Sequence, residues 1–370
     1  MASIFKYKES RIPQIDGLRG FALLMVLAYH MINNPILFVY QPNVLQVVLR
    51  KFTYFTYGAL DLFFVLSGYL IAKILIENKH SKSFFKVFYG RRLLRILPLF
   101  YLLLVIYLVL RSIGMNDPEG FLFGNELPMW SYFAYVPNYM MAFSNSYGAK
   151  ILTPTWSLGV DEQFYLVAPA IIFLFKKKWI PYFVIPLIIA APIFRASTDL
   201  YYMKILPFQM RMDSLFIGVL LAYLVCEMDL IALTKKKVML LTGCIILVGL
   251  AILLLTYTRT IGVLDHSLFN LFYVLIVLYI ISVENSFLVK VLKQKWLRLF
   301  GFISYGVYLF HQVISGLLHA IILDQKPRLN NLEDLGVMLI AFILSIGFGY
   351  LLHILIEKPL INFGHKFKYN

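Results

Sequence analysis

Long apolar runs, separated by short polar segments, are the dominant pattern along this chain of 370 residues. A helix of about 20 apolar residues can cross a bilayer, and runs of that length recur from one end of the chain to the other. They predict ten membrane-spanning helices, near residues 15–32, 57–77, 93–110, 156–175, 179–194, 211–227, 238–257, 266–283, 302–321 and 335–356. We therefore expect an all-α integral membrane protein, with a fifth span that is short or kinked because it contains Pro181, Pro186 and Pro192.

The distribution of basic residues predicts the orientation of these helices. An even number of spans puts both termini on one side, and cytoplasmic segments carry the excess of lysine and arginine. With the N-terminus inside, most of the 34 lysines and arginines fall in cytoplasmic segments, and most of the 19 acidic residues fall outside. Both termini are therefore expected in the cytoplasm. This asymmetry, with attraction to anionic lipid headgroups, accounts for the net charge of +15 without any nucleic-acid partner.

Composition narrows the class of protein further. Hydrophobic residues make up 61% of the chain and charged residues 14%, which is too apolar for a soluble protein of this length. Cys226 and Cys244 fit neither a disulfide framework nor a metal site. The first apolar run lacks a small-residue cleavage site, so we expect a retained span and not a signal peptide. Only a short basic tail, residues 358–370, follows the last span, and one transmembrane domain over residues 1–370 without an appended soluble domain is expected.

The first span carries ionisable residues on one helix face. Arg19 and His30 are eleven residues apart, which places them within roughly 20° of the same face and about 16 Å apart along the axis. Asp16 precedes Arg19 by three positions, close enough to pair with it. Charge at membrane depth is costly, so this face is a candidate functional site.

Two further arginines enter the third span. Arg92 and Arg95 share a helix face, and Arg95 already lies within the apolar run. A guanidinium there is expected to face protein or a polar cavity and to bind an anion such as phosphate. The alternative is that these arginines only set the orientation of the helix, which explains Arg95 poorly.

Other polar residues lie inside the fourth and ninth spans. Asp161, Glu162 and Gln163 are consecutive, and neighbouring helix positions point about 100° apart, so they must line a cavity or bond to other helices. We favour an outer cavity. For His311, near the middle of the membrane, a cavity role and a simple hydrogen bond to a neighbour are equal alternatives. Ser67 is interpreted as a packing residue beside Gly68 rather than as a nucleophile.

These residues form a polarised pattern, with arginines toward the inner face, carboxylates toward the outer face and histidines between. Glu357, at the inner end of the last span, is expected to pair with one of the arginines, and the loop from Ser112 to Thr155 is expected to cap the outer mouth. The pattern suits a multi-anionic cofactor from the cytoplasm and a hydroxylated acceptor from outside.

At six places the chain resembles the bacterial membrane acyltransferase family 3. Arg19 and His30, with ten residues between them, resemble its arginine–histidine signature. The other stretches that resemble family motifs, in the family's order, are Asp61–Leu70, Arg92–Pro98, Trp156–Tyr165, Arg211–Gly218 and Ser304–His311. The family has a glutamate where this chain has Asp161 followed by Glu162, so which of the two carboxylates has the family's role stays open.

The resemblance implies transfer of an acyl group, usually acetyl, from cytoplasmic acyl-CoA to a hydroxyl of a carbohydrate at or beyond the outer surface of the bacterial cytoplasmic membrane. Acceptors in the family include O-antigen, capsule, exopolysaccharide and peptidoglycan. Acetyl-CoA is then a donor substrate, with no permanently bound cofactor and no metal, and the partners are the carbohydrate acceptor and the lipid bilayer.

Spacing and resemblance together give a hypothesis for the site. His30 would act as general base, with Asp16 as the second catalytic residue, and Arg19, Arg92 and Arg95 would hold the CoA phosphates. Substrate contacts are assigned to Asp161, Glu162, Tyr165 and His311. The alternative is a transporter or flippase of an anionic or sugar-linked substrate, which would use the same charges without making bonds. A relative with an inactive site is a third interpretation.

Overall fold

The computed structural model describes residues 12–228, 230–231, 233–258 and 262–370, and every regular element in those ranges is a helix. Ten long helices overlap the ten predicted spans: α1 Pro13–Ala28, α2 Ala59–Glu77, α3 Phe84–Ser112, α4 Thr155–Leu174, α5 Ile180–Ala196, α6 Met212–Met228, α7 Lys235–Thr258, α8 Asp265–Ser282, α9 Lys295–Leu323 and α10 Leu332–Leu352. The all-helical prediction is therefore confirmed.

The lengths of the helices bear on the number of spans. Within the described ranges, nine helical segments are long and apolar enough to cross a membrane. The helix α6 is not among them, because its 17 residues make it only about 26 Å long. A multi-pass membrane protein is supported, whereas the tenth span stays a prediction.

Two π turns extend α1 and α10, and a proline follows each of them. Tyr29–Asn33 forms the first, in which the Asn34 N–H donates to the carbonyl of Tyr29, five residues back. Pro35 has no N–H to donate and its ring crowds the preceding turn, so the helix widens there by one residue. His353–Glu357 forms the second turn in the same way, just before Pro359. The widened turn that contains His30 is of a kind found often at functional sites.

Glycines bring α1 and α9 into backbone contact. A Cβ on Gly20 would lie 1.9 Å from the Leu297 carbonyl oxygen, and a Cβ on Gly301 would lie 2.0 Å from that of Asp16. Gly20 meets Gly301 at the crossing and His30 lies beside His311 farther along both helices, so they run parallel. Small residues at helix contacts in membranes allow this close approach, since van der Waals packing drives the association there.

The helices α2 and α6 make a second close crossing. A Cβ on Gly68 would lie 1.9 Å from the Leu215 carbonyl oxygen, and one on Gly218 would lie 2.3 Å from that of Val65. Ser214 binds Asp61 near the start of both helices, and Gly218 meets Gly68 farther along both, so the pair runs parallel. The span Val44–Glu77, which contains α2, is 67% buried inside the protein, against 11% for Lys235–Leu255 of α7. The helix α2 is thus central and α7 peripheral.

Buried charges join α2, α6 and α8. Asp61 is fully buried and accepts hydrogen bonds from Arg211 at 2.9 Å, the Ser214 hydroxyl at 3.0 Å and His266 Nδ1 at 3.0 Å. These partners precede α6, lie within it and begin α8, respectively. Removing the carboxylate would leave the other buried polar groups unpaired, which is costly in a low-dielectric interior.

A second buried pair adds α5 to this assembly. Arg195 donates to Asp213 at 2.7 Å, and the Ser267 hydroxyl donates to the same carboxylate at 2.8 Å. Both charged side chains are 2% exposed. The two networks together connect four helices through directional bonds, in addition to their apolar contacts.

The substitution Gly301→Ala tests the crossing of α1 and α9. The added methyl would overlap the Asp16 carbonyl, so the helices must separate, at a cost of about 1–3 kcal/mol of stability. Gly243→Ala in α7 is the matched control because nothing lies within 4 Å of its added Cβ. Thermal unfolding in detergent should show a lower melting temperature for Gly301→Ala only. Equal melting temperatures would argue against backbone contact.

The substitution Asp61→Asn tests the first buried network. It leaves the Arg211 guanidinium buried without its anion, and we expect a loss of about 3–5 kcal/mol of stability. The control on the same helix is Glu77→Gln, which removes an ion pair whose glutamate is 52% exposed and should change stability by less than about 1 kcal/mol. Similar unfolding temperatures for the two variants would contradict a structural role for Asp61.

Candidate functional site

A cavity of about 140 Å³ lies between α1, α2, α3, α4 and α9, and we name it the arginine cavity. Its wall brings together polar side chains that are far apart in sequence. They are Arg19, Ser67, Arg92, Arg95, Ser157, Asp161, Glu162, Tyr165, Ser304, Tyr305 and Tyr308. The three arginines that the sequence assigned to phosphate binding therefore face one space.

Aromatic rings hold part of this wall. The Arg92 guanidinium lies over the Tyr165 ring, 5.5 Å from its centroid, and over the Phe88 ring at 5.9 Å. The Tyr165 hydroxyl is 3.3 Å from the Ser67 hydroxyl. Arg92 and Arg95 are half-buried, so their charges are partly shielded from solvent yet open to the cavity. Partly desolvated guanidinium groups at such a site bind phosphate oxygens strongly.

The carboxylates lie with the arginines, not opposite them. The sequence pattern assigned Asp161 and Glu162 to an outer cavity, but both line the arginine cavity. Asp161 is six residues inside α4 and Arg95 is eleven residues inside α3, and both side chains reach the same cavity. The polarised arrangement expected from sequence is therefore wrong for this pair of carboxylates.

A second cavity, of about 350 Å³, contains both candidate histidines, and we name it the histidine cavity. It shares Leu60 and Tyr308 with the arginine cavity. The other polar and aromatic side chains in its wall are Tyr29, His30, Asn34, Phe38, Thr56, Tyr57, Phe121, Tyr147, Lys150, Thr153, Trp156, Tyr201, Tyr202, Arg211, His266, His311, Gln312 and Ser315. The loop before α4 supplies Tyr147 and Lys150, which places that loop against the cavity.

His30 and His311 lie side by side, with ring centroids 5.1 Å apart. The Nδ1 atom of His30 is 3.3 Å from the side-chain nitrogen of Asn34 and 3.4 Å from that of Gln312. As these amides stand, their N–H groups donate to Nδ1, and the proton of His30 is on Nε2. The nitrogen and oxygen ends of an amide are assigned from such networks, and a turned amide would present its oxygen to an Nδ1–H. Only in that second tautomer does Nε2 have the lone pair that a general base requires.

His311 has a defined tautomer. Its Nδ1 is 2.8 Å from the Tyr308 carbonyl oxygen and 3.2 Å from that of Val307, and a carbonyl only accepts. Nδ1 therefore carries the proton and Nε2 has the lone pair. Nε2 is buried and has no hydrogen-bond partner in the described part of the chain. An unpaired buried acceptor at a cavity wall is available to a hydroxyl of a ligand.

Asp16 and Glu357 lie elsewhere. Asp16 is buried at the crossing of α1 and α9, about 21 Å along the helix from His30, and lines neither cavity. Glu357 binds His353 at 2.7 Å, within the second π turn. The pairing of Glu357 with an arginine stays a prediction.

Sequence reasoning missed three residues of the histidine cavity. The Tyr57 hydroxyl is 3.4 Å from Nε2 of His266, whose Nδ1 binds Asp61. Gln312 is next to His311 and reaches His30 across the cavity. The sequence signal that could have identified His266 is its position at the outer end of the predicted eighth span, at the same depth as Asp61 in the predicted second span. Burial raises the pKa of the Tyr147 phenol above its ordinary value, so this wall residue stays neutral.

Comparison with known proteins gives one family. A family model described as an acyltransferase domain matches residues 12–354. Peptidoglycan O-acetyltransferase OatA of Listeria monocytogenes is 28% identical in an alignment of 353 residues that covers 88% of this chain and 52% of that protein. O-acetyltransferase OatA of Staphylococcus aureus is 28% identical in an alignment of 332 residues that covers 83% of this chain and 51% of that protein.

The extent of these matches differs between the chain and its relatives. The chain spans about half the length of these curated relatives. No solved structure matches it. The family model, by contrast, covers nearly the whole chain and agrees with the resemblance seen in the sequence. The chain belongs to the membrane acyltransferase family 3.

Proposed function

We propose that this chain transfers an acyl group, acetyl in the simplest case, from cytoplasmic acyl-CoA to a hydroxyl of a cell-surface or lipid-linked carbohydrate. The observation that carries the proposal is the contact between the two cavities at Tyr308, with three arginines on one side and the neighbouring His30 and His311 on the other. Relatives that are named O-acetyltransferases support the reaction class. The donor is consumed as a substrate, and no resident cofactor or metal takes part.

In the proposed topology ten spans cross the bacterial cytoplasmic membrane, with both termini in the cytoplasm. The excess of lysine and arginine in the segments assigned to the cytoplasm supports this orientation. The helix α1 then runs outward, so the arginine cavity lies on the cytoplasmic side of the histidine cavity. Each substrate would reach the protein from the side on which it is made or displayed.

The arginine cavity would bind the donor. Arg19, Arg92 and Arg95 would bind CoA phosphates through charge-assisted hydrogen bonds. The position of Asp161 and Glu162 beside these arginines supports contact with the amide and hydroxyl groups of the pantetheine arm. We therefore propose that these two carboxylates and Tyr165 contact the donor. The rise of about 16 Å along α1 between Arg19 and His30 suits an extended pantetheine arm.

The histidine cavity would hold the reacting groups. We propose that Nε2 of His30 takes the proton of an acceptor hydroxyl as that oxygen attacks the thioester carbonyl carbon. The C–S bond then breaks, the ester forms, and the proton passes from His30 to the CoA sulfur. Nε2 of His311 would accept a hydrogen bond from a second hydroxyl of the carbohydrate and so orient it. Asp16, at the crossing of α1 and α9, would act through the position of α1.

Substitution of His30 tests the general base. Purified His30→Ala should release CoA from acetyl-CoA in the presence of acceptor about 10²–10⁴-fold more slowly than the unmodified protein, because proton removal is lost. The control is His319→Ala on α9, since His319 is also buried, binds a backbone carbonyl through Nδ1 and lines neither cavity. Mass spectrometry of the surface glycan should show acetylation with the control only.

Two results would contradict this assignment. One is near-normal acetylation by His30→Ala in membranes that contain normal amounts of the protein. The other is loss of turnover in His311→Ala alone, because we expect that variant to raise the KM for the acceptor more than it lowers kcat. Movement of labelled substrate across vesicles without CoA release would favour the transporter instead.

Substitution of the arginines tests donor binding. Arg92→Ala and Arg95→Ala should each weaken acetyl-CoA binding by about tenfold or more, because a hydrogen bond to a charged group contributes about 1.5–3 kcal/mol. Arg91→Ala is the matched control, since Arg91 binds the Phe367 backbone carbonyl and does not line the cavity. Calorimetric titration of the purified variants measures the affinities. Unchanged affinity in both test variants would exclude the phosphate-binding role.

A further inference from the structure

A third cavity, of about 720 Å³, opens beside the histidine cavity, and no role has been given to it so far. We name it the tyrosine groove. Resting on the proposed function, we propose that it binds the acceptor, and that the acceptor is a saccharide carrying an anionic group. The polar and aromatic side chains of its wall are Tyr29, Arg50, Lys51, Tyr54, Tyr57, Arg195, Tyr201, Lys204, Asp265 and His266.

The groove is continuous with the reacting groups. It shares Tyr29, Tyr57, Tyr201 and His266 with the histidine cavity. The Tyr29 ring is 5.3 Å from the His30 ring and 5.9 Å from the Tyr57 ring. A sugar held against Tyr29 and Tyr57 would therefore have a hydroxyl within reach of His30.

The aromatic wall suits a sugar ring. Tyr54 and Tyr57 are nearly parallel, with ring centroids 6.2 Å apart and an interplanar angle of 12°. The C–H face of a pyranose packs on such rings, while its hydroxyls bond to phenol oxygens at their edges. Tyrosine supplies a large, rigid and amphipathic contact, which explains why it recurs at binding surfaces. A lipid tail would not need the phenol hydroxyl groups of these tyrosines.

The charges of the wall indicate the second property of the ligand. Arg50 and Lys204 are cationic, against one acidic residue, Asp265, among the described residues of the wall. Arg195 adds no net charge because it is already paired with Asp213. Lys204 lies 3.5 Å from Asp199, but that aspartate is fully exposed, so the pair is weak. A neutral saccharide would not need this excess of positive charge, whereas a carboxylate or phosphate is complementary to it.

Neighbouring structure holds the backbone of Arg50, at one edge of the groove, in place. Arg50 and Lys51 lie at the end of the helix Val44–Tyr54, which begins with a capping box between Asn43 and Gln46. Asn33, the buried last residue of the first π turn, donates to the Arg50 carbonyl at 2.9 Å. The first π turn thus contains His30 and, through Asn33, holds the backbone of Arg50.

Binding to matched oligosaccharides tests the proposal without any acyl transfer. The probes are a hyaluronan tetrasaccharide, which carries carboxylates, and the neutral chitotetraose, titrated into the full chain in nanodiscs. The unmodified protein should bind the carboxylated probe at least about tenfold more tightly. The double variant Arg50→Gln/Lys204→Gln should lose this preference, while its affinity for acetyl-CoA stays within about twofold. Lys235→Gln/Lys236→Gln removes the same charge outside the groove and is the control.

Further variants separate stacking from charge. Tyr54→Ala should weaken both tetrasaccharides, and Tyr54→Phe should restore the affinity because the ring is kept. A polyprenyl-diphosphate-linked N-acetylglucosamine serves as the phosphate probe. Tighter binding of it than of the carboxylated probe would identify the lipid carrier as the source of the anion.

The outcomes also separate this proposal from the acyltransferase function. Equal affinity of the unmodified protein for charged and neutral probes, or an unchanged preference in the double variant, would overturn the groove proposal. If the unmodified protein releases CoA and acetylates its glycan while the groove variants keep the acceptor KM, the function stands and the groove assignment fails. If CoA is never released but the preference for the charged probe is present, the acyltransferase function fails and the assignment of the groove to an anionic saccharide stands.

Discussion

The backbone contact between α1 and α9 is the constraint on which the proposed site depends. Gly20 and Gly301 lie at the crossing of these parallel helices, and His30 and His311 each follow ten residues later. Both helices rise by about 1.5 Å per residue. Because the two backbones touch at the crossing, with no side chain between them, the two histidines are fixed at the same height. A bulkier residue at the crossing would shift one helix relative to the other, and the imidazoles would no longer face each other.

The buried ion pairs have a complementary role in a different group of helices. Asp61 binds Arg211 and His266, and the last two also line the histidine cavity. Groups that hold α2, α6 and α8 together therefore form part of the wall where the acceptor is proposed to bind. Paired buried charges are rigid, because any displacement exposes one of them without its partner. The wall of the site is thus stabilised by the same bonds that stabilise the fold.

Hydropathy and spacing along single helices predicted the helices and the placement of Arg19 and His30, because these properties depend only on the helix itself. Contacts between helices were not accessible in this way. Asp161 and Glu162 were expected apart from the arginines but line the same cavity, since depth in one span says nothing about the neighbouring span. Gln312 and His266 were missed because their importance comes from residues more than 200 positions away. The widened turn at Tyr29–Asn33 also changes the faces that follow it.

Tyr308 stands where the arginine and histidine cavities meet, and its hydroxyl is hydrogen-bonded to that of Ser157 at 2.7 Å. In the proposed reaction the thioester end of the pantetheine arm passes this point to reach His30, while the CoA phosphates and the carbohydrate remain on their own sides. The opening required is then only as wide as the extended pantetheine arm. A neutral hydrogen bond of this type contributes only about 0.5–1.5 kcal/mol. The electrical insulation of the membrane at this protein would therefore depend on one aromatic side chain returning to its place after each turnover.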